Sequence, residues 1–398
     1  MEKYFNIFVN GYQGYASYLW NDILNPTWNS YFYWLLIVSG FFFILEIYLP
    51  WRKNQEKKNN QFLYVTGIFI IALLILFLAG QSIGDFAAFG ITWKISLLYI
   101  GYIINAIRIG TIQLRKDFWM DGFYMFFNFF LFSLIIYNAA SDVVVNFFNN
   151  GLKMLFDFDL QSMNPMNSFP YWAVLLIGFF VRDFVQWWVH RLLHNNERLW
   201  EFHKVHHSVE EMGFAAHLRY HWMENVVYRS LEYIPLALLG IGLYDFFVIH
   251  IFTLAWGHFN HSNISVSGYV TGGILGALIG IVLANSLLEI TIFEGVSLIA
   301  KLGIFASSIA FFSFAIGPFM RKLFNSPEMH IWHHSYDLPP EHPSGVNYGL
   351  TLAIWDYIFG TAYVPHNGRD IRLGFPGVEE FPTSFPEQNI HGFGKKTN

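Results

Sequence analysis

Eight of the sixteen histidines fall in three tight clusters: His190-x-x-x-His194, His203-x-x-His206-His207 and His330-x-x-His333-His334. Imidazole is the commonest protein metal ligand, and residues three and four apart share one helix face, so each cluster can aim its nitrogens at one point. A lone buried histidine is ordinarily satisfied within a core. Burying this many without a shared ion would leave polar nitrogens unpaired. Neutral nitrogen donors suit a mid-row transition metal, of which iron is the member that activates dioxygen. Nine or more imidazoles exceed the four ligands of a zinc site, so two iron ions fit the count.

Further candidate ligands stand at the edges of apolar segments: His221 beside Glu224, and His258 and His261 in His258-Phe-Asn-His261-Ser-Asn263. His261 is the strongest of these and His217 the weakest, while His250, His342, His366 and His391 read as structural. Asp183 lies two helical turns before His190 on the same stripe. It is expected to accept the proton on the far nitrogen of a ligand imidazole and so orient it.

The elements that must carry these residues are apolar. The 398 residues are 54% hydrophobic, 20% aromatic and 13% charged, with a positive mean hydropathy, which excludes an ordinary soluble enzyme and points to a polytopic membrane protein. Runs long enough to approach the width of a bilayer occur at Tyr31–Leu49, Phe62–Ala79, Trp93–Ile107, Phe123–Tyr137 and Tyr171–Val189. Met1–Asn29 reads as an aromatic, turn-rich stretch without the features of a removable signal peptide.

Positive charge follows the first and third spans, at Arg52, Lys53, Lys57 and Lys58 and at Arg108, Arg115 and Lys116. Positive loops remain cytoplasmic, which makes Gln81–Thr92 and Ala139–Phe169 external and brings His190, with all the clusters, to the cytoplasmic face. Asn225–His258, broken at Gly240-Ile241-Gly242, reads as a helical hairpin, and Tyr269–Phe319, with Glu289 and Glu294 near its middle, as a second. Within the latter, Gly272, Gly276 and Gly280 have the spacing that lets helices approach closely, more readily inside the chain than between copies. Arg52–Gln61 is a solvated connection, and no internal repeat is visible.

The chain has no cysteine, hence no disulfide and no thiolate ligand. It also lacks a Gly-x-Gly-x-x-Gly turn for a flavin or nicotinamide, so electrons must come from an external donor. Nucleic acid is not an expected partner. No His-Glu-x-x-His occurs, which argues against a metalloprotease. The rival from another class is a histidine-rich membrane metal transporter or sensor without catalysis.

The order of motifs resembles the fatty acid hydroxylase/sterol desaturase superfamily. It is carried by the three clusters, by His261-Ser-Asn263, by Asn325-Ser-Pro-Glu328-Met-His330-Ile-Trp-His333-His334-Ser335, and by Asn347-Tyr-Gly through Trp355-Asp356 to Phe359-Gly360-Thr361. The resemblance covers Tyr171–Pro365. It implies an all-α, multi-pass integral membrane fold with a cytosolic histidine-rich di-iron cap. It also implies dioxygen as co-substrate and hydroxylation, or desaturation, of a C–H bond in a fatty acyl, alkyl ether, sterol or isoprenoid lipid held in the bilayer. The nine histidines 190, 194, 203, 206, 207, 261, 330, 333 and 334 become the expected catalytic ligands. Asp183, Asn263, Asn347 and Asp356 become their expected supports. Cluster spacing is similar to that of the alkylglycerol monooxygenase subgroup, which implies a reduced pterin as donor, with a ferredoxin or cytochrome as the alternative.

The resulting organisation is transmembrane helices over 1–170, the hydroxylase-like domain over 171–365 and a tail over 366–398. The family's short link between His-Ser-Asn and Asn-Ser-Pro-Glu is here replaced by an apolar insertion at about 266–318. The aromatic runs Phe123–Phe132 and Trp187-Trp188 read as lipid-facing bulk more readily than as the wall of a substrate tunnel.

Overall fold

The computed structural model describes residues 2–25, 27, 30–55, 60–83, 85–157, 166, 168–239, 243–289 and 298–393. Its described residues are all-α, without a strand. Helices α1 (Glu2–Leu24), α2 (Tyr31–Tyr48), α3 (Asn60–Ile83) and α4 (Asp85–Arg108) come first. A composite helix follows: α5 (Phe118–Phe126), a wider π-helical stretch (Phe127–Tyr137) and α6 (Asn138–Phe156). The site is then built by α7 (Tyr171–Asn195), α8 (Glu197–His207), α9 (Trp222–Leu238) and α10 (Leu243–His261). The chain continues through α11 (Gly268–Glu289), α12 (Leu298–Phe311) and α13 (Gly317–Leu323) to the short α14 (Pro327–His333), α15 (Ile354–Ile358) and α16 (Phe385–Ile390).

Among the described residues, four helical stretches are long and apolar enough to cross a membrane: Tyr31–Tyr48, Phe118–Val144, Tyr171–Asn195 and Ala300–Leu323. Shorter apolar segments lie at Asn60–Leu73 and Gly268–Gly280. Two expectations change. Most of Met1–Asn29 is helical, because α1 lies along α6 and buries Leu19 in a cluster with Leu35, Phe129 and Phe130. Tertiary packing overrides a weak local signal there. The expected external loops are also largely helical: α6 runs to Phe156, and α3 and α4 flank residue 84. Residue 84 lies outside the described residues, as do the expected break at Gly240-Ile241-Gly242 and Lys57, Lys58 and Glu294.

Polar fastenings tie the first helices to the back of the site. Glu46 on α2 is buried, accepts from the backbone N–H of Phe214 and Asn263, and pairs with Arg115 at 3.1 Å. Arg219 pairs with Asp117 and Asp121 at 2.8 and 3.2 Å, locking α5 to the turn after α8. The glycine face of α11 is filled from within the chain: a Cβ on Gly276 would lie 2.5 Å from the carbonyl oxygen of Ser308. Of the aromatic runs, Trp187 is buried and donates to Asp356, whereas Trp188, Phe123 and Phe126 are exposed on the bundle's outer surface.

Candidate metal centre

Local signals set where each cluster begins. Asn196 ends α7 and caps α8, its side chain accepting from Arg198 and Leu199 at 3.1 Å, so the chain turns sharply between His194 and His203. Ser326 caps α14 through the Met329 N–H, with Pro327 at the first helical position where its missing donor is not needed. His330 and His333 are thereby fixed on one short helix, with His334 as its C-cap.

The histidines converge in two groups. His190, His194, His203, His207 and His333 form one, and His206, His261, His330 and His334 the other, with the donor atoms of each group within 4.8 Å of one another. All nine are buried. The groups adjoin, the rings of His207 and His334 lying 4.4 Å apart and those of His203 and His206 5.2 Å.

Hydrogen bonds decide which nitrogen faces inward. A carbonyl oxygen can only accept, so an imidazole nitrogen against one must carry the proton. Nδ1 of His190 donates to Tyr348, of His194 to Ser344, of His206 to Arg219, of His261 to Gly257 and of His333 to Val346, at 2.7–3.0 Å. Nδ1 of His203 donates to the Glu224 carboxylate at 2.7 Å. Six Nε2 lone pairs are thus turned to the interior. Those of His206 and His261 face each other at 3.2 Å. Two lone pairs at that distance repel unless a cation shares them. Nε2 of His194, His207 and His333 and Nδ1 of His334 are buried with no hydrogen-bond partner among the described residues. Burial holds His206 at about 4 and keeps His203, His207, His330, His333 and His334 well below the usual imidazole range. They are therefore neutral near pH 7, the form that binds a metal. By donor type, burial and orphaned nitrogens, the residues fit a pair of transition-metal ions.

Four of the expected roles change. His221 is spent elsewhere, since its Nε2 donates to the carbonyl of Asn389 and its Nδ1 accepts from Met223. His258 points away from both groups, its ring nitrogens meeting Ser39 and His217 at 3.1 Å. Asp183 does not touch His190; it accepts from the backbone of Thr351 and Leu352 and from Trp355, holding the loop before α15. Asn263 bonds Arg52 and fastens the loop after α2 instead of a ligand.

Asn347 and Asp356 act on the loop that supplies the acceptors. Asn347, in the left-handed conformation at φ 54°, bonds Met329 and Tyr363. Asp356 accepts from the N–H groups of Tyr348 and Gly349 at 2.9 and 2.8 Å. Together they place the carbonyls that orient His190 and His333. Gly345, at φ 139°, allows the close approach: a Cβ there would lie 2.9 Å from Nδ1 of His194. The carboxylate that orients a histidine of the two groups is Glu224, through His203. Its signal is its place three residues after His221 at the start of α9, but its partner His203 lies on another helix.

A cavity of about 110 Å³ opens against His190, His203, His206 and His261.

The fatty acid hydroxylase family model matches residues 175–277 and 265–361, a span that contains all nine histidines. Ornithine lipid hydroxylase OlsE of Rhizobium tropici is 25% identical over 211 residues, 53% of this chain and 48% of that protein. Very-long-chain aldehyde decarbonylase GL1-10 of Oryza sativa subsp. japonica is 37% identical over 67 residues, 17% of this chain and 22% of that protein. The chain therefore spans about half of the first relative and less of the second. No solved structure matches it. In this multi-pass helical membrane chain, residues 175–361, which carry all nine histidines, belong to the fatty acid hydroxylase/sterol desaturase superfamily.

Proposed function

We propose that this protein is a membrane-bound, di-iron, dioxygen-dependent oxidoreductase that hydroxylates, or desaturates, a C–H bond of a lipid. The observation that carries the reading is the set of six imidazoles whose Nδ1 protons are pinned by acceptors and whose Nε2 lone pairs converge. His190, His194, His203, His207 and His333 would hold one iron, and His206, His261, His330 and His334 the other. Bound there, the pair would supply reductive activation of dioxygen against an unactivated carbon. The chain's own groups hold the donors neutral, fix their tautomers through Tyr348, Ser344, Glu224, Arg219, Gly257 and Val346, and exclude bulk water by burial. Such prepositioned ligands lose little entropy on binding.

Reducing equivalents come from an external donor, a reduced pterin, a ferredoxin or a cytochrome, since the chain has neither thiolates nor a nucleotide-binding turn. The positive loops support a site on the cytoplasmic face. A non-catalytic transporter or sensor is the second reading. Against it, the ligands from α7, α8, α10 and α14 meet at one place instead of marking a path across the bundle.

The test is elemental and chemical. Purified full-length protein should contain about two irons per chain, the number its two ligand groups can hold. Lipid extracts from cells with the active protein should show a species gaining one oxygen or losing two hydrogens, absent with His207→Ala. A preparation that takes up zinc but no iron, with unchanged lipids, would favour transport or sensing.

A further inference from the structure

Polar side chains from three helices line the cavity beside the histidines, within an apolar bundle. Three helices each turn one stripe toward it. On α7 the stripe is Arg182, Gln186 and His190, four residues apart; on α9 it is Glu224, Tyr228 and Glu232; on α10 it is His250, Thr253, Gly257 and His261. Each stripe starts at the metal centre, at His190, at the Glu224 that holds His203, or at His261. It ends at a buried polar cluster about 12 Å farther along the helix axis on α7, eight residues at 1.5 Å each.

That cluster is charged and closed on itself. Arg182 and Glu232 form a buried ion pair. Arg182 also reaches Thr253, and His250 at 3.1 Å, and Gln186 donates to Glu232 at 3.0 Å. Burying an ion pair among apolar helices is unfavourable relative to apolar residues of similar volume, which pack the same helices at least as well. A cluster serving only to bind helices together would be close-packed. Here it lines a space that would hold about three or four waters, at roughly 30 Å³ each. Asn225, on the same wall, keeps a buried Nδ2 with no hydrogen-bond partner among the described residues.

We infer that this cavity receives a neutral, oxygen-bearing polar group of the substrate lipid, a hydroxyl, an ether or an amide carbonyl, and that the oxidised carbon lies within a few bonds of that oxygen. The inference rests on the hydroxylase reading for the identity of the reacting centre. Polar side chains of three helices meet in this space, and charge narrows what they accept. Arg182 is already paired with Glu232, which leaves no uncommitted cation for a carboxylate or phosphate. Asn225 offers a donor and so asks for an acceptor. Because the same cavity touches His190, His203, His206 and His261, an acceptor held by Asn225 places its neighbouring carbons against the inward-facing nitrogens. The apolar remainder of the lipid would extend into the surrounding bilayer.

The test is photolabelling of the purified full-length protein in detergent, using dodecanamide with a diazirine a few carbons from the amide, and the same diazirine on plain dodecane. The amide probe should label peptides covering residues 220–232 and 250–261, and unlabelled dodecanamide or dodecanol should displace it. Dodecane, dodecanoate and dodecylammonium should compete at least about tenfold less well, the difference that one desolvated polar mismatch produces. Asn225→Leu should lower labelling about fivefold, the loss of one hydrogen bond, and Asn225→Ser should restore part of it. Equal labelling by the dodecane probe, or stronger displacement by the carboxylate or the ammonium, overturns the inference. The wild-type competition series decides the matter even if the Asn225 variants fail to fold. Iron content measured on the same preparation reports separately on the di-iron reading, since labelling does not require turnover.

Discussion

Helices α10 and α11 are neighbours in the chain and live by different rules. On α10, His258, Asn260 and His261 are buried, and each side chain is committed to a partner on another element or to the helix's own backbone. On α11, Ile274 and Leu278 are each 57% exposed, and the helix packs chiefly on α12 and α13 through its glycine face. One helix builds a polar centre from side chains held by partners; the other builds a hairpin by backbone approach and leaves an apolar side exposed. A clamp joins the two. Ser265 and Arg321, at the entry and exit of the hairpin, both bond the carboxylate of Glu328, two residues before His330, and Arg321 also bonds the Val266 carbonyl at 3.2 Å. A hairpin whose ends are held together in this way can separate His261 from His330 in the chain without moving either.

This contrast can be broken by substitution. The largest effect is expected from His333→Ala. Iron affinity should fall by more than about 100-fold, beyond the loss usual for a supporting residue, with lipid product at background. His366→Ala, a residue in neither group, should leave both readings unchanged. Glu224→Ala should weaken iron binding about 10- to 100-fold in a chelator competition, because His203 loses the acceptor that fixes its tautomer. Glu328→Ala should release the clamp and lower stability by about 1–3 kcal/mol in thermal unfolding, with a partial loss of iron. Gly276→Leu should drive α11 from α12 and lower stability by a similar amount, about 1–3 kcal/mol, while iron per folded chain stays the same. If iron falls with Gly276→Leu as steeply as with Glu224→Ala, the hairpin and the centre are one cooperative unit and the contrast fails. Leu278→Ala, on the exposed face, should change unfolding by less than about 0.5 kcal/mol.

The candidate metal centre was more legible in the sequence than the elements around it. Spacings of three and four within one helix are a local code, which is why the histidines of the three clusters could be singled out together. Supporting residues carry no such code. Asp183 shares a stripe with His190, yet the nearest donors to its carboxylate are Thr351, Leu352 and Trp355, from a segment that only folding brings alongside. Glu224 takes the role expected of Asp183 because α9 lies against α8. His221 and His258 have the right chemistry, but partners on the tail and on α2 claimed their nitrogens first.

Composition and local spacing, by themselves, determined an apolar helical chain and the histidines it would concentrate, because hydropathy and helical periodicity are properties of short stretches. Only the tertiary structure decided how nine imidazoles divide into five and four, which nitrogen of six of them faces inward, and which polar side chains line the space beside them. Those outcomes depend on acceptors and side chains contributed by helices far apart in the chain, and no short stretch of sequence contains both partners of such a bond.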